Sequence, residues 1–223
     1  MALKDKKHWS TKSEAAQDEV KDAIEETFEW LYVRRREAAY ASGAVLAAAS
    51  LAGLFLYQRR AATNAAWDKL SQAELYAYSN RPTEAQALLN EVANGPSAAA
   101  SALARMMEGD LHYPRAEYDQ ALASYDKAAQ AAPETLRPFA QAERVMTLEA
   151  AGKASECAAA AQSFLDANSE HLLAAQVHTS LARCQLAMGQ TDTAKATLQR
   201  IALQYANTPW AEWANARLQA LPK

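Results

Sequence analysis

The residues best able to form a covalent link in this 223-residue chain are its two cysteines, Cys157 and Cys184. Cys157 lies early in one predicted helix and Cys184 late in the next, and the two helices should run antiparallel about a turn near Asn168. Opposite ends of such a hairpin meet, which leaves two outcomes. One is a disulfide closing a loop of about 27 residues in an oxidising compartment; the other is a pair of buried thiols, one filling a position that needs a small side chain. A helical turn of misregister would carry the sulfurs beyond bridging distance. Of the four histidines, His8, His112, His171 and His178, the last two stand seven apart on one predicted helix. That is about 10.5 Å along the axis, too far to share a metal ion. No HExxH or paired-cysteine pattern occurs, so neither a metal nor another cofactor is predicted. Carboxylates alternate with basic residues, as in Glu117, Asp119, Asp126 and Lys127, and no acid pair stands out for hydrolysis. The serines lack a GxSxG setting, and the six glycines form no phosphate-binding loop. The reading is against an enzyme.

Elements that could position such residues must be helical. Alanine is the commonest residue, with 55 copies, while 6 Gly and 7 Pro leave few breaks. With 23 Lys+Arg against 26 Asp+Glu, a net charge of -3 offers no basic surface for nucleic acid.

The position of the charges says more than their sum. Residues 38–57 carry none, and twenty helical residues cover about 30 Å, the thickness of a bilayer's hydrocarbon core. Ala38, Leu46, Leu51, Leu54 and Phe55 supply its apolar surface, with Tyr40 and Tyr57 near the ends where interfacial aromatics belong. A buried helix would rarely run this long uncharged, and a cleaved signal would place its apolar core nearer the start. A membrane helix is therefore predicted. Arg34, Arg35 and Arg36 precede it and Arg59 and Arg60 follow, a slight asymmetry that favours a cytoplasmic N-terminus and an exported remainder. Ahead of the span, Val20, Ile24, Phe28 and Leu31 recur at helical spacing, so residues 14–36 read as an amphipathic helix. It either docks on a membrane or partner helix or extends the span, with Trp30 and Tyr32 as anchors.

Beyond residue 58 a repeat emerges. Segments beginning at Asn80, Ala116, Gly152 and Gly189 align, their starts 36, 36 and 37 residues apart. The sixth residue of each is small (Ala85, Ala121, Cys157, Ala194). The tenth (Leu89, Tyr125, Ala161, Leu198) and thirteenth (Val92, Ala128, Phe164, Ile201) are mostly apolar. Two antiparallel helices approach closely where a small side chain faces the partner, and larger ones then fill the groove. Helical patterns at 65–78, 97–111, 135–150 and 171–188 precede the turns, so each block is predicted to be a helix hairpin. The second block, with Gly109, Tyr118, Ala121, Leu122, Tyr125, Ala128 and Pro133, resembles the tetratricopeptide repeat family. Residues 208–221, led by Pro209 and carrying Trp210, Trp213 and Arg217, read as a capping helix. The prediction is an all-α chain: a cytoplasmic segment (1–37), one membrane helix (38–57), and an α-solenoid of about four tetratricopeptide-like hairpins (58–223).

A charged N-terminal segment, one span and an alanine-rich degenerate repeat domain together resemble YfgM-like proteins, ancillary subunits of the bacterial Sec translocon. The resemblance implies a single-pass inner-membrane protein whose periplasmic repeats meet translocon subunits and periplasmic chaperones. Stacked hairpins form a concave groove that binds peptide segments, and Tyr76, Arg105, His112, Arg144 and Arg183 are the groove candidates, taken from the first helix of each hairpin. The competing class is a structural subunit of another envelope complex, held mainly through the span and the N-terminal helix.

Overall fold

The structure is a computed structural model that describes Lys21, Trp30 and residues 32–221. Most of the amphipathic pattern expected over 14–36 lies outside the described residues. Nine α-helices follow: α1 (Arg35–Tyr78), α2 (Pro82–Ala93), α3 (Ala98–His112), α4 (Tyr118–Ala131), α5 (Arg137–Ala150), α6 (Ala154–Ala167), α7 (Ala174–Ala187), α8 (Thr191–Gln204) and α9 (Pro209–Ala220). The described residues include no strand. The chain divides after Gln58 into two compact units.

In the first unit, the expected span lies within α1, a single helix where two are predicted, since no proline or glycine breaks the sequence between Gly53 and Pro82. An 18-residue window of this helix has a mean hydropathy of 1.7 and none of it is buried, so the helix is long and apolar enough to cross a membrane. Tyr40, Leu46, Leu51, Leu54, Phe55 and Tyr57 are all more than half exposed among the described residues. Ser42 and Ser50 donate back to the carbonyls of Ala38 and Leu46, at 2.7 and 2.8 Å, which satisfies their hydroxyls without water.

The second unit begins at Arg59. Its hairpins pair the C-terminal part of α1 with α2, then α3 with α4, α5 with α6, and α7 with α8; α9 closes the stack on Ala182, Leu198 and Ile201. Each hairpin turn contains one residue with left-handed backbone, Asn80, Ala116, Gly152 and Gly189. These are the residues at which the four repeats begin. At each, the following N–H reaches back to close the helix: Arg81 to Tyr76, Glu117 to His112, Lys153 to Leu148 and Gln190 to Gln185, at 2.9 to 3.2 Å. The sixth, tenth and thirteenth residues of the repeats then point inward, and none of the twelve is more than 2% exposed. Prolines at the starts of α2, α5 and α9 sit where a helix needs no N–H donor.

Large and small residues trade places across each hairpin. The residue seven before each turn faces the residue nine after it: Ala73 shares a cluster with Leu89, Val145 with Ala161, and Ala182 with Leu198. In the second hairpin the trade is extreme, with Gly109 lying directly beneath the ring of Tyr125. Cys157 of α6 and Cys184 of α7 are bridged in the structure, with Cα atoms 6.2 Å apart, in the largest core cluster.

His171 and His178 do not share a helix, contrary to expectation. α7 starts only at Ala174 because the His171 ring turns back, its Nδ1 accepting from the Leu173 N–H at 3.3 Å, while the ring packs edge-on against Phe139 and Phe164. His178 is buried in α7 with Nδ1 placed 3.0 Å from the Ala174 carbonyl and 3.1 Å from Tyr205 Oη. Burial lowers its pKa and outweighs the opposing bond to Ala174, so the ring is held neutral.

Candidate interaction groove

Successive first helices of the hairpins line one side of the stack, and two recesses lie along it. One, of about 290 Å³, is bounded by Tyr113 beyond α3, Met146 and Glu149 of α5, Gln176, Thr179 and Arg183 of α7, and Trp210 of α9. The other, of about 310 Å³, is bounded by Glu74 and Tyr78 of α1, Leu89 of α2, and Met107, Asp110 and Leu111 of α3. Counting back six residues from each left-handed turn gives Glu74, Asp110, Met146 and Arg183, one from each hairpin and all on this groove.

That periodicity sorts the sequence candidates. Arg183 lies on the groove, its guanidinium 3.2 Å from Glu149 and 5.1 Å from the Trp213 ring centre. Tyr76 and His112 come two residues after the groove position and Arg144 two before it, about 200° around the helix in each case. Tyr76 lies instead under the Arg81 guanidinium, at 4.6 Å. His112 is 2.6 Å from Glu117 and faces Arg115 beside α2. Arg144 pairs with Asp126 at 2.6 Å in a recess between α4 and α6, on the side of the second helices. Arg105 donates to the Ala93 carbonyl at 3.1 Å, closing the end of α2. The structure therefore does not bring the five candidates together.

The carboxyls on the groove side are unusual. Tyr125 Oη donates to Asp110 Oδ1 at 2.7 Å, yet burial outweighs that bond and raises the Asp110 pKa. Glu143, on the neighbouring α5, is pushed up to about 7, first by burial and then by the charge of Asp110. The Tyr113 hydroxyl is also shifted upward, chiefly by burial, with Tyr118, Glu149 and Glu143 adding to the effect.

A stability prediction follows from Glu143. The folded chain favours its protonated form, whereas an unfolded chain ionises it near pH 4.3. Its contribution is whole below that pH and is lost as pH rises through about 7. Glu143→Gln should therefore gain on the parent by about 1–2 kcal/mol at pH 8, allowing for solvent screening, and match it at pH 4. Denaturant unfolding of the full chain, followed by circular dichroism at both pH values, measures this. A gain of equal size at pH 4 would refute the assignment.

Among the described residues no group of three or more His, Cys, Asp or Glu side chains is arranged to hold a metal ion. The groove is lined by exposed Tyr113 and Trp210, half-buried Met107 and Met146, and carboxyl side chains.

A tetratricopeptide repeat family model matches residues 180–208, the fourth hairpin, whereas the sequence signature looked clearest in the second. No curated protein matches the chain. Among solved structures, the chain is similar to nearly identical TPR-like repeats of a Podosopora anserina protein designated a kinesin light chain. It has 18% identity and a TM-score of 0.55 to them, covering 69% of this chain and 83% of that one. A point variant of the same protein gives the same identity and TM-score with 82% of its length covered. The fold is an all-helical, tetratricopeptide-like solenoid.

Proposed function

We propose that this protein is a membrane-anchored interaction module of the bacterial inner membrane, crossing once through residues 38–57 and presenting its repeat groove in the periplasm. The observation that carries this reading is the pair of surfaces left uncovered among the described residues: an apolar helix segment with none of them packed over it, and a groove lined by one residue from every hairpin. Lipid suits the first, since its serines are satisfied within the helix. A polypeptide segment suits the second. The periplasmic side is supported by Arg34, Arg35 and Arg36 ahead of the span and by the disulfide-bonded pair, which an oxidising compartment maintains.

Within that reading, the resemblance to YfgM-like proteins names the partners: Sec translocon subunits and periplasmic folding factors. A photoreactive amino acid at Met146 or Trp210 of the full chain, in intact membranes, should crosslink to those partners. One at Gln130, between the second helices, should not. Crosslinks from the span alone would favour the structural-subunit reading, and crosslinks to a different envelope complex would replace the translocon assignment.

A further inference from the structure

The recesses of the repeat unit differ in how their charges are balanced. On the side of the second helices Arg144 is paired with Asp126 and Arg115 with Glu117, while Arg105 and Lys127 share a recess with no acid. The groove side presents Glu74, Asp110 and Glu149 in its recesses, with Glu143 beside Asp110, against the single guanidinium of Arg183. Arg183 is engaged by Glu149. Among the described residues neither Asp110 nor Glu143 forms a salt bridge; Asp110 accepts from the Tyr125 hydroxyl at 2.7 Å. Apolar contact is available beside them, since Tyr113 and Trp210 are 38% and 37% exposed and Met107 and Met146 lie between.

Resting on the groove reading above, we infer that the occupant of this groove is a basic amphipathic segment of a protein partner, with Lys or Arg side chains meeting Asp110 and Glu143 and apolar ones meeting Tyr113, Met146 and Trp210. A cation there would pair with two carboxyls that have no salt-bridge partner among the described residues, and charge-assisted hydrogen bonds are stronger than neutral ones. An acidic segment would instead add like charge to the same carboxyls, which disfavours it.

The test uses the full chain in a neutral maltoside detergent and three fluorescent 16-residue peptides. The first alternates Lys and Leu in amphipathic helical order; the others replace every Lys by Gln or by Glu. Anisotropy is corrected for empty micelles. The Lys peptide should bind at least tenfold more tightly than either counterpart, and raised salt should weaken it. The charge-removing pair Asp110→Asn/Glu143→Gln should reduce its binding at least tenfold, while Glu134→Gln/Glu170→Gln, with the same change in charge on exposed turns, should not. Circular dichroism confirms that both variants fold. Equal binding of all three peptides, still lost in Trp210→Ala, would overturn the charge class and leave the groove in place. Undiminished binding to the Asp110/Glu143 variant, or no binding by any peptide, would also overturn it, while the crosslinking from Met146 tests the groove independently.

Discussion

Gly109→Ala should destabilise the repeat unit by about 2–3 kcal/mol, against the direction that helix propensity alone dictates. In an open helix the exchange gains about 1 kcal/mol. Here the added methyl would lie 2.5 Å from both Cε1 and Cζ of Tyr125 and 2.9 Å from Cδ1, far inside van der Waals contact. The ring has little freedom to retreat. Tyr125 is 1% exposed, and its hydroxyl donates to Asp110, so any rotation gives up that bond and opens a void. The alternative is to spread α3 from α4, which loosens the packing around Ala121 and Ala128, both fully buried. For a unit of this size the loss corresponds to a fall in Tm of about 4–12 °C.

The remedy is readable from the first hairpin, where alanine and leucine stand at the same two positions, as Ala73 and Leu89. Gly109→Ala/Tyr125→Leu recreates that pair and should recover much of the loss made by Gly109→Ala. Tyr125→Leu alone should be destabilising, because glycine then faces a smaller side chain across a cavity. The coupling between the two sites is thus expected to be favourable and above 1 kcal/mol. Thermal unfolding of the four chains measures it, and simple additivity would show that the close approach at Gly109 does not limit packing.

This trade explains how much of the fold was legible in the sequence. The sixth, tenth and thirteenth columns are visible because helix contact requires small residues at a constant interval, and all twelve residues became core. The turns were legible too, since the backbone closing each helix must go left-handed once, at Asn80, Ala116, Gly152 and Gly189. The groove was not legible in the same way. Its candidates were picked by residue type from the right helices, but type does not fix direction: a shift of two residues turns Tyr76, His112 and Arg144 to the opposite face. Counting from the left-handed turn would have found Glu74, Asp110 and Met146 alongside Arg183. Trp210 escapes even that count, because it belongs to the capping helix α9 and not to a hairpin, and Glu143, which feels the charge of Asp110, sits three residues before the groove position of its own helix. The start of α7 was misplaced for a local reason, the bond from the Leu173 N–H to His171.

Breaking the link between Cys157 and Cys184 should cost about 3–4 kcal/mol, the chain entropy regained by an unfolded loop of 27 residues. The effect can be separated from packing because the repeat supplies its own control. The position of Cys157 is alanine in every other hairpin, as Ala85, Ala121 and Ala194, each fully buried. Cys157→Ala therefore removes little volume that the fold requires, and most of its effect, combined with Cys184→Ala, should come from the lost cross-link. Reductant offers a second route, with a kinetic signature. Cys157 is fully buried and Cys184 is 2% exposed, so a thiol reaches the sulfurs only when α6 and α7 part. Reduction of the folded chain should be slow and should accelerate steeply as denaturant approaches the unfolding midpoint. Denatured chain taken from membranes should accept no thiol alkylating agent before reduction and two equivalents after it. Two equivalents before reduction would mean that the residues are thiols in the cell, which would remove the cross-link from the stability account and the oxidising compartment from the argument for topology.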